Sequence, residues 1–157
     1  MIQRIQSIFL VLAITCSSLL FAEPVFTWRS NADNTIYQSG ITDTTLTTDN
    51  GEARLFLNLP TLLLNALIIL FSLYVLFGFK NRPRQAKSCH LLLISQLLLI
   101  SLVFYNWDKV NSLAGAGYEW NFTAAIVFLI APVLLFPAAR HFIKKDEALV
   151  RSADRLR

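Results

Sequence analysis

The 157-residue sequence predicts an all-α membrane protein: a four-transmembrane-helix bundle with a small extracytoplasmic β-hairpin between helices 1 and 2 and a cytoplasmic C-terminal helical tail. Three observations predict it. Hydrophobic residues make up 55% of the chain and charged residues only 15%, well under the ~25% usual for soluble domains. Four apolar runs lie at about residues 5–22, 59–79, 89–107 and 121–140, each near the ~20 residues that cross a bilayer. The positive charges are also sorted between the segments that join those runs, as the positive-inside rule requires.

The first run opens after Arg4 and is apolar except for Gln6, Ser7, Thr15, Ser17 and Ser18. It reads either as a secretory leader ending near Ala22 or as a retained span. Leu20 is bulky for a cleavage site, and the small hydroxyl residues suit helix packing, so retention is favoured. Residues 23–58 form the first outer loop. Its polar part, residues 23–54, is rich in Thr, Asn and Asp and carries five acids against Arg29 and Arg54. Asn50-Gly51 is a hairpin signal flanked by residues 45–47 and 53–56, and residues 25–28 and 35–38 are candidate short strands. The acids lack the ordered spacing of a calcium loop and read as solvated charge.

The second span begins beside Pro60, which suits a first helical turn. The inner loop, residues 80–88, then carries Lys80, Arg82, Arg84 and Lys87 with no acid among them. These four are the expected topology anchor, and the loop can also touch anionic lipid head groups. The third span is followed by a second outer loop at residues 108–120. Trp28, Trp107 and Trp120 all fall at expected outer boundaries, as an interfacial aromatic belt does. Pro132 and Pro137 interrupt the fourth span and are expected to bend it. Eleven Lys and Arg residues fall on the expected cytoplasmic side and three outside, which places both termini in the cytoplasm of a bacterial inner-membrane protein.

Candidate chemistry is sparse. The net charge of +4 follows the spans, so a direct nucleic-acid partner is not indicated. Cys16 and Cys89 sit at different depths, and no disulfide is expected. Cys89, His90 and His141 all lie near the inner interface but lack the spacing and number of a metal set. No nucleophile elbow, phosphate loop or carboxylate pair appears, so no enzyme, cofactor or metal is expected. Asn65, Ser72, Ser95, Gln96 and Ser101 are the polar residues of the middle spans. With Ser17 and Ser18 they read as an interhelical hydrogen-bond layer, or else as a conduit for a solute.

The tail, residues 141–157, places Leu149, Val150, Ala153 and Leu156 on one helical stripe, with Arg151, Asp154, Arg155 and Arg157 on other faces. Such a short helix needs a surface to fold against. These eight residues are the expected partner-binding set. The expected function is an inner-membrane accessory or scaffold protein that docks a membrane or cytosolic protein, with a small transporter or channel as the alternative. A homo-oligomer is compatible with the same surface.

The ends MIQRIQ (residues 1–6) and KKDEALVRSADRLR (residues 144–157) resemble an uncharacterised family of Bacteroidota membrane proteins, the domain-of-unknown-function family 4293. The resemblance implies a retained first helix and a four-span inner-membrane protein. It implies no established activity, cofactor or catalytic residue.

Overall fold

Four helices and a five-stranded sheet make up the computed structural model, which describes residues 3–30, 35–49, 51–78, 82–114 and 117–155. The order is α1 (Gln3–Leu19), β1 (Phe26–Ser30), β2 (Ile36–Ser39), β3 (Asp43–Thr48), β4 (Gly51–Leu57), α2 (Leu59–Phe77), α3 (Arg82–Ala114), β5 (Tyr118–Phe122) and α4 (Ala125–Arg155).

This corrects the expected all-α, four-span bundle on two counts. First, among the described residues only α2, α3 and α4 contain segments long and apolar enough to cross a membrane: Leu59–Phe77, Pro83–Ala114 and Ala125–Val150. Helix α1 has 17 residues, about 26 Å at 1.5 Å per residue, short of the ~30 Å hydrocarbon core. The local chemistry explains its early end. Thr15 and Ser18 donate their hydroxyls to the carbonyls of Val11 and Ile14, and Pro24 biases Glu23 away from the helical region. The last turn closes with Phe21 N–H to Ser18 O and Ala22 N–H to Leu19 O.

Second, the expected hairpin is two strands of a larger antiparallel sheet in the order β4-β3-β2-β1-β5. The hairpin itself is β3 with β4, paired from Asp43↔Leu57 to Thr48↔Gly51. Asn50 lies outside the described residues. Gly51 has φ +128°, a conformation open to glycine and costly for other residues. The candidate strands at residues 25–28 and 35–38 correspond to β1 and β2. Strand β5 falls where the second outer loop and the start of the fourth span were expected. It pairs with β1 from Phe26↔Phe122 to Ser30↔Tyr118, so both outer segments of the chain contribute to one sheet.

The helices bury positions at alternating steps of four and three residues. In α2 these are Thr61, Asn65, Ile68, Ser72 and Val75. In α3, Gln85, Cys89, Leu92, Gln96, Leu99 and Val103 follow the same rule, as do Ala125, Leu129, Pro132, Phe136, Ala139 and Ile143 in α4. A 3.5-residue period is that of helices packed at shallow angles. Helix α1 contacts α4 and α2, and α3 contacts α4 and α2. Phe9 and Phe142 stack with centroids 5.4 Å apart, so the early part of α1 lies beside the late part of α4. Helix α4 stays helical through both Pro132 and Pro137.

The sheet is fastened to the same end of the helices by side chains. Asn58, 2% exposed, donates from Nδ2 to Gly40 O at 2.8 Å and to Thr44 Oγ1 at 3.3 Å, just ahead of α2. Thr61 Oγ1 donates to Ile41 O at 3.0 Å. Thr123 Oγ1, just ahead of α4, donates to the carbonyls of Pro24 and Val25. Helix α3 is about 50 Å long, so it outruns a bilayer core and continues alongside the sheet. There Lys109 Nζ sits 4.1 Å from the Phe56 ring centroid, and Trp107 meets Phe26 and Trp120.

Candidate functional site

Three regions hold the residues that sequence reasoning selected: the polar layer between the helices, the turn from α2 to α3, and the end of α4.

In the polar layer, the amide side chains bond across helices to main-chain carbonyls. Asn65 Nδ2 on α2 donates to Ser17 O on α1 at 3.0 Å. Gln96 Nε2 on α3 donates to Leu129 O on α4 at 2.8 Å. Both side chains are fully buried. Gln85, in the stretch expected to be an inner loop, does the same: its Nε2 donates to Val75 O on α2 at 3.1 Å. Sequence reasoning missed Gln85 because the basic charges around it read as loop. Its helical spacing to Cys89, Leu92 and Gln96 was the available signal. Ser95 and Ser101 do not join the layer; their hydroxyls turn back to Leu91 O and Leu97 O. Ser72 is buried on α2, and its Oγ has no partner among the described residues. These three amide bonds couple neighbouring helices, at roughly 0.6 kcal/mol each.

Below the sheet, Phe26 is the hub of an aromatic cluster. Its ring centroid lies 5.7 Å from Phe104, 6.4 Å from Trp107, 5.4 Å from Phe122 and 6.0 Å from Trp28. Trp28 is fully buried, so it is a core residue of the sheet rather than part of an interfacial belt. Trp120, 45% exposed, is placed as a belt residue would be. On the sheet, Tyr37 meets Tyr118 edge to face at 5.3 Å, and Thr35 Oγ1 shares a 2.9 Å hydrogen bond with the Tyr118 hydroxyl. Burial, and then the neighbouring Tyr118, push the Tyr37 hydroxyl pKa upward.

Cys89, His90 and His141 sit in different surroundings. Cys89 is buried while His90 and His141 are exposed. Among the described residues, no three His, Cys, Asp or Glu side chains come together as a metal set. Cys16 and Cys89 are both free thiols.

At the turn, α3 begins at Arg82, so the basic stretch is mostly helix rather than loop. Arg84 and Lys87 are exposed and share the wall of one cavity, of about 320 Å³, with Tyr74, Gln85 and Ser88. Lys80 and the side chain of Arg82 lie outside the described residues.

At the other end of the chain, the expected tail is the last turns of α4 rather than a separate element. The nucleation cost of a short isolated helix is thereby avoided. Ile143 is the last buried position among the described side chains, and Leu149 and Val150 beyond it are 48% and 43% exposed. The side chains of Arg151, Ala153, Asp154 and Arg155, and all of Leu156 and Arg157, lie outside the described residues.

Three apolar helices of membrane-crossing length, capped by a sheet, are the build of a membrane protein. Residues 2–156 match the family described as Domain of unknown function (DUF4293), and the chain belongs to that family. No curated protein matches it.

Proposed function

We propose that the chain is an accessory or scaffold protein of the bacterial inner membrane that presents the end of α4 to a protein partner in the cytoplasm. The observation that carries this reading is the continuous α4, which holds Leu149 and Val150 solvent-exposed beyond the buried Ile143. Large apolar side chains on a helical projection suit a partner groove. The charges around them are balanced, Asp146, Glu147 and Asp154 against Arg151, Arg155 and Arg157. That composition suits a protein surface that reads both signs better than an anionic membrane. The excess of Lys and Arg at the α2–α3 turn and from Arg140 onward supports a cytoplasmic position for that turn and for the end of α4, with the sheet on the other side.

The test is a photoreactive residue at Leu149 in the full chain, illuminated in living cells. The expected product is an adduct of one discrete mass, absent when the probe stands at Leu134, which is 73% exposed on the apolar part of α4. Smeared adducts of lipid mass at both positions would overturn the reading. Truncation after Lys145 is expected to remove the adduct partner from the purified protein while leaving membrane insertion intact.

A further inference from the structure

The seam between α2 and α3 carries two openings in line. The one at the turn is the 320 Å³ cavity walled by Arg84, Lys87, Ser88 and Tyr74. No carboxylate is among its lining residues, and the sequence holds no acid between Glu52 and Asp108. It sits where the apolar residues of α2 end at Phe77, which is the level of lipid head groups. Its second opening, about 270 Å³, is an apolar groove walled by Leu64, Leu67, Ile68, Phe71, Leu92 and Ser95.

The two openings share both helices. From Val75 to Phe71 on α2, and from Ser88 to Leu92 on α3, is one helical turn each, about 6 Å. The groove runs from about 9 to 20 Å below Phe77, through the inner part of a ~15 Å leaflet and past the bilayer midplane. A basic, hydroxyl-bearing cavity at the interface with an apolar groove directly beneath it matches the shape and polarity of one lipid. A soluble anion would use the cavity and leave the groove unexplained. The flanking side chains Leu63, Leu67, Leu70 and Tyr74 are 58–70% exposed, so the seam is open laterally to the bilayer.

We propose that the α2–α3 seam is a binding site for an anionic glycerophospholipid. Arg84 and Lys87 hold the phosphate by charge-assisted hydrogen bonds, the Ser88 and Tyr74 hydroxyls face the polar head, and one acyl chain lies in the groove. Gln85 fixes the cavity wall: its bond to Val75 O joins the two helices at the floor of the head-group site.

The test uses the full chain, delipidated in a mild maltoside detergent and titrated with palmitoyl-oleoyl phosphatidylglycerol or phosphatidylcholine, with bound lipid counted by native mass spectrometry. One phosphatidylglycerol is expected to bind at least tenfold more tightly than phosphatidylcholine. Arg84→Gln with Lys87→Gln should remove that preference. Ser95→Phe, which fills the groove and leaves the cations in place, should weaken phosphatidylglycerol at least tenfold. The charge-preserving pair Arg84→Lys with Lys87→Arg should bind as the parent does, which separates lost charge from lost folding. Inorganic phosphate at millimolar concentration should not displace the lipid. Equal retention of phosphatidylglycerol by the parent and the Gln pair would overturn the proposal. So would displacement by inorganic phosphate together with an inert Ser95→Phe, since that pattern describes a phosphate site without a lipid.

Discussion

Gln96 and Leu129 are joined by a 2.8 Å hydrogen bond from the Gln96 Nε2 to the Leu129 carbonyl, and this one bond ties α3 to α4 inside the apolar layer. The donor is what matters. Gln96→Leu removes one bond together with its buried amide, and its net effect is expected to stay within about 1 kcal/mol. Gln96→Glu puts a carboxylate oxygen against the carbonyl and buries a charge, at about 3 kcal/mol. Thermal unfolding in detergent at neutral pH should rank the parent and Gln96→Leu together and Gln96→Glu well below them.

The aromatic cluster should dominate the stability of the sheet. Phe26→Ala removes a side chain that is 1% exposed and touches four other rings, so about 3–5 kcal/mol should be lost. Phe122 is 50% exposed, and Phe122→Ala should cost less than half as much. Near-ultraviolet circular dichroism, which reports the packing of Trp28 and Trp107, should collapse in the first variant and persist in the second.

The joint between sheet and α2 rests on Asn58 rather than on the neighbouring ion pair. Asn58→Ala deletes one buried and one part-buried donation and should destabilise by about 1–3 kcal/mol. Arg54 bonds Asp43 at 3.2 Å, but its side chain is 76% exposed, so Arg54→Ala should cost under about 1 kcal/mol. Chemical denaturation of the two variants side by side checks the order.

Orientation should follow the basic turn. Cysteine probes at Thr48 and Ser112 are expected to react with an impermeant reagent added outside the cell, and probes at Lys87 and Ser152 to be protected. Replacing Lys80, Arg82, Arg84 and Lys87 together with Gln should give mixed labelling of α2 and α3. An unchanged pattern would make the basic residues from Arg140 onward the dominant determinant.

Much of the helical part was legible because long apolar runs with charged ends leave few alternatives, as for α2 between Pro60 and Phe77. The helix ends were less so. Helix α3 extends at both ends past the apolar run, from Arg82 to Ala114, because tertiary contacts such as Trp107 with Phe26 hold polar turns that hydropathy reads as loop. Inward faces were hidden for a related reason: in an apolar segment, hydrophobicity does not separate exposed Leu98 from buried Leu99. Asn65 and Gln96 marked those faces, and Ser101 misled because a serine satisfied by its own helix can face outward. Strand β5 was illegible because Tyr118, Trp120 and Phe122 have the composition of an interfacial belt as well as of a strand. Of the candidate partner surface, Leu149 and Val150 lie exposed on α4, and the continuity of that stretch with α4 was not legible.

The pairing of β1 with β5 sets an order of assembly. Strand β1 emerges from the ribosome early, and its partner follows about ninety residues later, after both α2 and α3 have been made. Until then the Phe26–Ser30 edge has hydrogen-bonding groups without a mate, exposed to mispairing with other chains. Only a nascent chain whose α3 ends on the same side as β1 can deliver β5 to that edge. A chain in which only one of α2 and α3 crosses leaves β5 on the far side and the sheet open. Completion of the sheet thus requires that α2 and α3 together return the chain to the side on which β1 lies.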